Sequence, residues 1–189
     1  MIRLPAPHMA LNASDAPPPH FRMWQTCRVP TRRIDASTGA VLDPGLGPAD
    51  VITRIQIAAL SAPEERLRAL VINCRGLFDD GFGLALGSGI RIADAVLFAD
   101  LGGLVDEIYI VASGTEGRTT SVGDVGELCG AIARHAEAVV YAADVIHRPG
   151  RRKELPYGCI DGFEGTVYRW DEAGHLTSQN PAWPSGSID

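Results

Sequence analysis

No stretch of the 189-residue chain approaches the run of about 18 apolar residues that a transmembrane helix needs. The longest candidate, around Ala136 to Ala143, contains Glu137 and has only the length of a strand. The N-terminus also lacks the sustained apolar segment of a secretory signal peptide before its proline-rich run, Pro17 to Pro19. These absences predict a cytoplasmic protein that spans no membrane, with export by a signal-independent route still compatible. A basic excess is missing too: 17 Lys and Arg stand against 23 Asp and Glu, a formal charge of −6. That balance offers no electrostatic footprint for nucleic acid or an anionic membrane surface.

Paired metal or redox spacings are equally scarce. The four cysteines, Cys27, Cys74, Cys129 and Cys159, form no C-x-x-C pair, which argues against a zinc ribbon or a thioredoxin-type motif and for reduced thiols. No two histidines share H-x-x-x-H or H-E-x-x-H spacing, so no metal site is expected. The glycine-rich stretch Gly81 to Gly89 has neither the lysine of a phosphate loop nor the glycine pattern of a dinucleotide fingerprint. No cofactor is implied.

What is present is an ordinary globular composition, 46% hydrophobic and 21% charged, with length for one domain. Residues 1–47 are proline-rich and aperiodic, and read as an irregular arm whose Phe21, Met23 and Trp24 dock onto the body. Pro48 and Asp50 open a helix whose apolar residues recur at helical spacing up to Leu60. The run Ala69 to Ile72 reads as a strand buried on both faces, and so do Ile108 to Val111 and Ala138 to Ala142. Between them, Gly81 to Gly89 suits a hairpin-like strand or a binding loop, and Asp94 to Phe98 and Glu127 to His135 read as helices. After a basic turn at Arg148 to Lys153, Ile160 to Trp170 and His175 to Thr177 flank Asp171 to Gly174 as a β-hairpin.

Alternating strands and helices imply parallel pairing through right-handed crossovers. The expected fold is therefore a three-layer α/β/α sandwich over residues 48–180. A mainly parallel sheet of five or six strands would carry helices on both faces and a C-terminal hairpin at one side, followed by a tail at 181–189.

In such sheets, ligands gather at the carboxyl ends of the strands. One end offers Cys74, Arg75 and Gly76; the next offers Ser113, Gly114 and Thr115. A strand ending in His-Gly, a helical crossover, and a strand ending in Ala-Cys-Gly form the working core of the caspase-like clan of cysteine peptidases. Val71-Ile72-Asn73-Cys74-Arg75-Gly76, the segment Gly81 to Ile90, Ile108 to Gly114, Gly126-Glu127-Leu128-Cys129 and Ile160 to Gly165 follow that order, and the chain resembles a bacterial member of the clan. The resemblance implies a caspase-like fold over roughly Leu67 to Trp170 and a peptide or protein partner.

Two departures bear on activity. Arg75 stands where the clan keeps its general-base histidine, and Ser113 where it keeps the nucleophilic cysteine. Arginine stays protonated and accepts no proton, and a serine hydroxyl without an adjacent base is a poor nucleophile. The reading is a degenerate site serving as a binding or scaffolding module, with Arg75 positioned to clamp a carboxylate. The rival reading is a hydrolase with Ser113 as nucleophile, His147 as base, and backbone N–H groups of Gly114 or Gly76 as an oxyanion hole. Asp79 and Asp80, with Glu116, would form an acidic rim.

The remaining thiols and imidazoles have blander roles. Strand alternation sends Cys74 to the face opposite Arg75, and Cys129 belongs to a helix core, whereas Cys159 in its Tyr-Gly-Cys loop is a candidate exposed thiol. His8 and His20 are expected to be solvated in the arm, His135 to complement a helix C-terminus, and His175 to lie at the surface.

Overall fold

The computed structural model describes residues 2–16, 33–79, 81–113, 122–143, 156–160, 163 and 166–181; for Ser113, 122–124 and 179–181 it describes the backbone alone. The stretch expected as an irregular arm supplies three strands instead: β1 (Ile2–Arg3), β2 (His8–Ala13) and β3 (Thr38–Leu42). Helix α1 (Pro48–Leu60) follows, with proline in its first turn, and then β4 (Leu67–Leu77) and β5 (Gly83–Ala85). A 3-10 segment, Ile92–Leu101, leads to β6 (Val105–Ser113), and helix α2 (Val122–Ala136) leads to β7 (Val139–Ala143). The chain closes with β8 (Cys159–Ile160), β9 (Thr166–Trp170) and β10 (Leu176–Pro181), so the last strand runs one residue into the expected tail.

The main sheet has the order β10-β9-β7-β6-β4-β2-β3, with β5 paired to the end of β4. Strands β3, β2, β4, β6 and β7 are mutually parallel; β9 and β10 add the expected antiparallel hairpin at one edge. At eight strands the sheet is wider than the five or six anticipated, because β2 and β3 come from the presumed arm.

Alternation along the strands divides the interior into two clusters. Met9, Leu11, Leu70, Ile72, Cys74, Ile108, Ile110, Val140 and Ala142 pack on one face against Val51, Ile52 and Ile55 of α1, Phe98 of the 3-10 segment, and Leu128, Cys129 and Ile132 of α2. Each such aliphatic side chain contributes roughly 1.5–3 kcal/mol on burial. The other face carries Ala10, Ala69, Val71, Tyr109, Val111, Val139, Tyr141 and Val167, covered by Ile2, Leu4, Ile34, Ala36, Ile160 and Phe163. Among the described residues, then, the helices lie on one face only, and the two-stranded ribbon β1–β8 helps to cover the other.

Crossover handedness accounts for this. The connections β3 to β4, β4 to β6 and β6 to β7 all step in the same direction across the sheet. With one shared hand, their helices must fall on the same face. The connection β2 to β3 steps the opposite way, and its described residues Ile34 and Ala36 pack on the opposite face. Connections leaving the adjacent strands β2 and β4 therefore depart to opposite faces, which makes their shared carboxyl edge the topological switch point of the sheet.

Candidate functional site

Strands β4 and β6 are in register from Leu67↔Val105 to Arg75↔Ser113, so the last pair of their parallel ladder sets the two residues singled out in the sequence side by side, while β4 runs on to Leu77 paired with β5. Gly76, one residue on, is buried in the hairpin pairing Gly76↔Leu84. Phe78 packs against the same glycine, whose hydrogen a Cβ would replace at 2.6 Å from the Phe78 ring. Gly114, Glu116, Asp80 and His147 lie outside the described residues, as do His20 and Cys27.

Arg75 finds its partner on the other side. Its Nε stands 2.8 Å from Oδ2 of Asp15, just beyond the end of β2. The Nε–H, sealed from solvent, is not aimed along that line, so the contact is one of charge more than of a directed hydrogen bond. The Arg75 side chain keeps 39% of its surface exposed. Asp15 gave no sequence signal, because it falls in the part of the chain taken for an arm.

Beneath this pair, on the same face, sits a buried amide network. Asn12 Oδ1 accepts from the backbone N–H of Ile34 at 2.9 Å and from Asn73 Nδ2 at 2.7 Å, while Asn12 Nδ2 donates to the Ile34 carbonyl at 3.3 Å. Asn73 precedes Arg75 by two strand positions and Ile34 follows Arg33 directly, so one side chain fixes both arginine-bearing segments. Arg33 in turn donates from Nε to the Ala16 carbonyl at 3.1 Å, adjacent to Asp15. Buried polar residues three and two positions from the chemistry were the legible clue, but only once the strands are known.

The thiols do not join this edge as nucleophiles. Cys74 is fully buried in the helix-side cluster, and burial pushes its thiol up to about 12. Burial likewise raises Cys129 on α2. Cys159, a candidate exposed thiol, is only 4% exposed, because it pairs in the ribbon opposite Arg3.

The described histidines are remote from the carboxyl edge. His135 lies in the last turn of α2, and exposed His175 contacts Asp171 in the terminal hairpin turn. His8 corrects an expectation: instead of being solvated it is 4% exposed at the amino end of β2, its ring against Gly158. Desolvation lowers its pKa, opposed by the nearby Pro5 carbonyl, and neither ring nitrogen has a hydrogen-bond partner among the described residues.

Among the described residues no group of three or more His, Cys, Asp or Glu is arranged to hold a metal ion, and no helix is long and apolar enough to cross a membrane. Two open grooves lie away from the carboxyl edge, one between β3 and α1 and one between the 3-10 segment and α2. The arrangement at the edge is one that binds and orients: a fixed guanidinium with a carboxylate at its flank, on a rigid amide support. Comparison with family models, with curated proteins and with solved structures returns no match.

Proposed function

We propose that the chain is a catalytically degenerate domain of the caspase-like clan that acts as a binding or scaffolding module for a peptide or protein partner. The observation that carries this reading is the Arg75↔Ser113 register, the last pair in the ladder of adjacent parallel strands, where the clan would hold histidine and cysteine. The strand order, with the first parallel strand between the second and third, is one of the two common doubly wound arrangements and fits such a fold. Arg75 cannot serve as base, its charge is engaged by Asp15, and the nearest thiol, Cys74, faces the opposite layer. A partner would then be held at the Arg75 edge by charge-assisted hydrogen bonds.

The test is hydrolysis of chromogenic esters and a fluorogenic peptide library by the full chain and by Ser113→Ala, at enzyme concentrations that register slow turnover. Equal, background-level rates for both proteins are expected. Hydrolysis that vanishes in Ser113→Ala, and also in His147→Ala, overturns the proposal in favour of the serine hydrolase.

A further inference from the structure

We propose that the edge formed by the carboxyl ends of β2 and β4 is a phosphoryl-binding site, in which Arg33 and Arg75 hold the oxygens of a singly protonated phosphate group and Asp15 accepts its P–OH. This rests on reading the same edge as a ligand-binding edge, and it names the chemistry taken there.

The two arginines are held against consecutive residues: Arg33 donates from Nε to the Ala16 carbonyl, and Arg75 Nε lies 2.8 Å from the Asp15 carboxylate in a contact of charge. That mode of attachment leaves the outer amino groups of each fork without a partner among the described residues. The forks come from segments 42 residues apart in sequence, yet Asn12 pins both, through Ile34 beside Arg33 and Asn73 two positions before Arg75. Pre-set guanidinium forks are the side chains best matched to planar or tetrahedral oxyanions. The location is the switch point of the sheet, where connections from neighbouring strands part to opposite faces, the place at which open α/β sheets take their ligands.

Asp15 selects among anions. Two guanidinium groups and one carboxylate sum to one positive charge, in a chain whose formal charge is −6. A ligand carboxylate would balance that charge and a sulfate dianion would overshoot it, and both bring only acceptors, so their oxygens would face those of Asp15 with no proton between them. A phosphate ester with one proton also carries a single negative charge, and it can accept from both forks while donating its O–H to Asp15. The second ionisation of a phosphate ester lies near a pKa of about 6, so about half of it carries this proton at pH 6.

Calorimetric titration of the full chain at pH 6 with inorganic phosphate, sulfate and acetate tests the site. Phosphate is expected to bind at least about tenfold more tightly than either other anion, and Arg33→Gln and Arg75→Gln each to weaken it about tenfold to a hundredfold. Asp15→Asn supplies a donor and is expected to bring sulfate close to phosphate. A phosphoserine peptide titrated beside its unphosphorylated form distinguishes the sources: tighter binding of the phosphopeptide than of inorganic phosphate places the group on a partner, and binding of inorganic phosphate alone assigns a free anion. Absence of phosphate and phosphopeptide binding, equal affinity for sulfate, or indifference to both arginine substitutions overturns the proposal. Should Arg75→Gln fail to fold, the wild-type phosphate-to-sulfate ratio and Arg33→Gln decide alone. Ser113-dependent hydrolysis would instead overturn the non-catalytic reading and leave this titration standing.

Discussion

Replacing Asn12 by alanine probes the support on which the candidate site stands. Asn12 is 3% exposed and Asn73 fully buried, so water cannot replace what the substitution removes. Three hydrogen bonds go: Ile34 N–H to Oδ1, Asn73 Nδ2 to Oδ1, and Nδ2 to the Ile34 carbonyl. Losing a buried partner costs roughly 1–3 kcal/mol for each group left behind, more than the net 0.5–1.5 kcal/mol of a typical hydrogen bond. The bond at 3.3 Å is the weakest of the three and belongs at the low end. The expected destabilisation of Asn12→Ala is therefore roughly 3–5 kcal/mol, a large part of the 5–15 kcal/mol that holds a typical domain.

Asn12→Asp keeps the acceptor but turns the donor into a second acceptor facing the Ile34 carbonyl and buries a charge, so it is expected to be at least as damaging near neutral pH. Ser14→Ala, two residues away and exposed, is the control and is expected to change stability by less than about 0.5 kcal/mol. Urea unfolding followed by far-ultraviolet circular dichroism measures all three. A loss below about 1 kcal/mol for Asn12→Ala, close to the value for a solvated amide, would refute the network as a structural support.

Two further outcomes follow from burial. His8 is held neutral by desolvation, with its folded-state pKa below the ordinary 6.5, so its contribution to stability is complete above pH 6.5 and is lost as pH falls toward the folded value. Urea unfolding at pH 7.5 and 5.5 should show that decline at up to about 1.4 kcal/mol per pH unit, and His8→Leu should flatten it; equal slopes in both proteins would contradict the assignment. Cys74 and Cys129, both buried with raised thiol pKa values, should escape iodoacetamide at pH 8 in the native protein and react in urea, as read by peptide mass mapping. Rapid native labelling of either would show that its environment opens.

The parts of the fold legible in the sequence were those with an unbroken period. Helical spacing marked α1 from Pro48 to Leu60, apolar runs marked β4, β6 and β7, and the turn Asp171 to Gly174 between two strand-like segments marked the β9–β10 hairpin. β2 escaped because two of its six residues, His8 and Asn12, are polar yet buried, which breaks both the apolar run and the alternation that betray a strand. β3 escaped for another reason: as an edge strand it is mostly exposed, and Gly39 and Ala40 have little strand preference. With those strands hidden, Asp15 and Arg33 had no place to stand, and Arg75 could be assigned a neighbour in Ser113 but not its ion-pair partner. The one-sided helices were also beyond the sequence, since strand order sets that outcome and periodicity does not report it.

The distribution of buried polarity gives the two faces different work. Among the described residues the buried polar side chains are His8, Asn12 and Asn73, and all three project toward the face that carries no described helix. The helix-side cluster is apolar throughout and contiguous from Met9 to Trp170, which is sufficient to hold the sheet and its helices together. A face serving stability alone gains nothing from buried amides, because replacing both partners by apolar groups of the same shape is nearly neutral. What a satisfied amide network adds is fixed geometry, since its bonds tolerate little displacement where hydrophobic contacts slide. At the carboxyl edge that rigidity is spent on two arginine-bearing segments far apart in sequence. At the amino edge, where His8 has no such partner, the same kind of burial leaves a group that titrates.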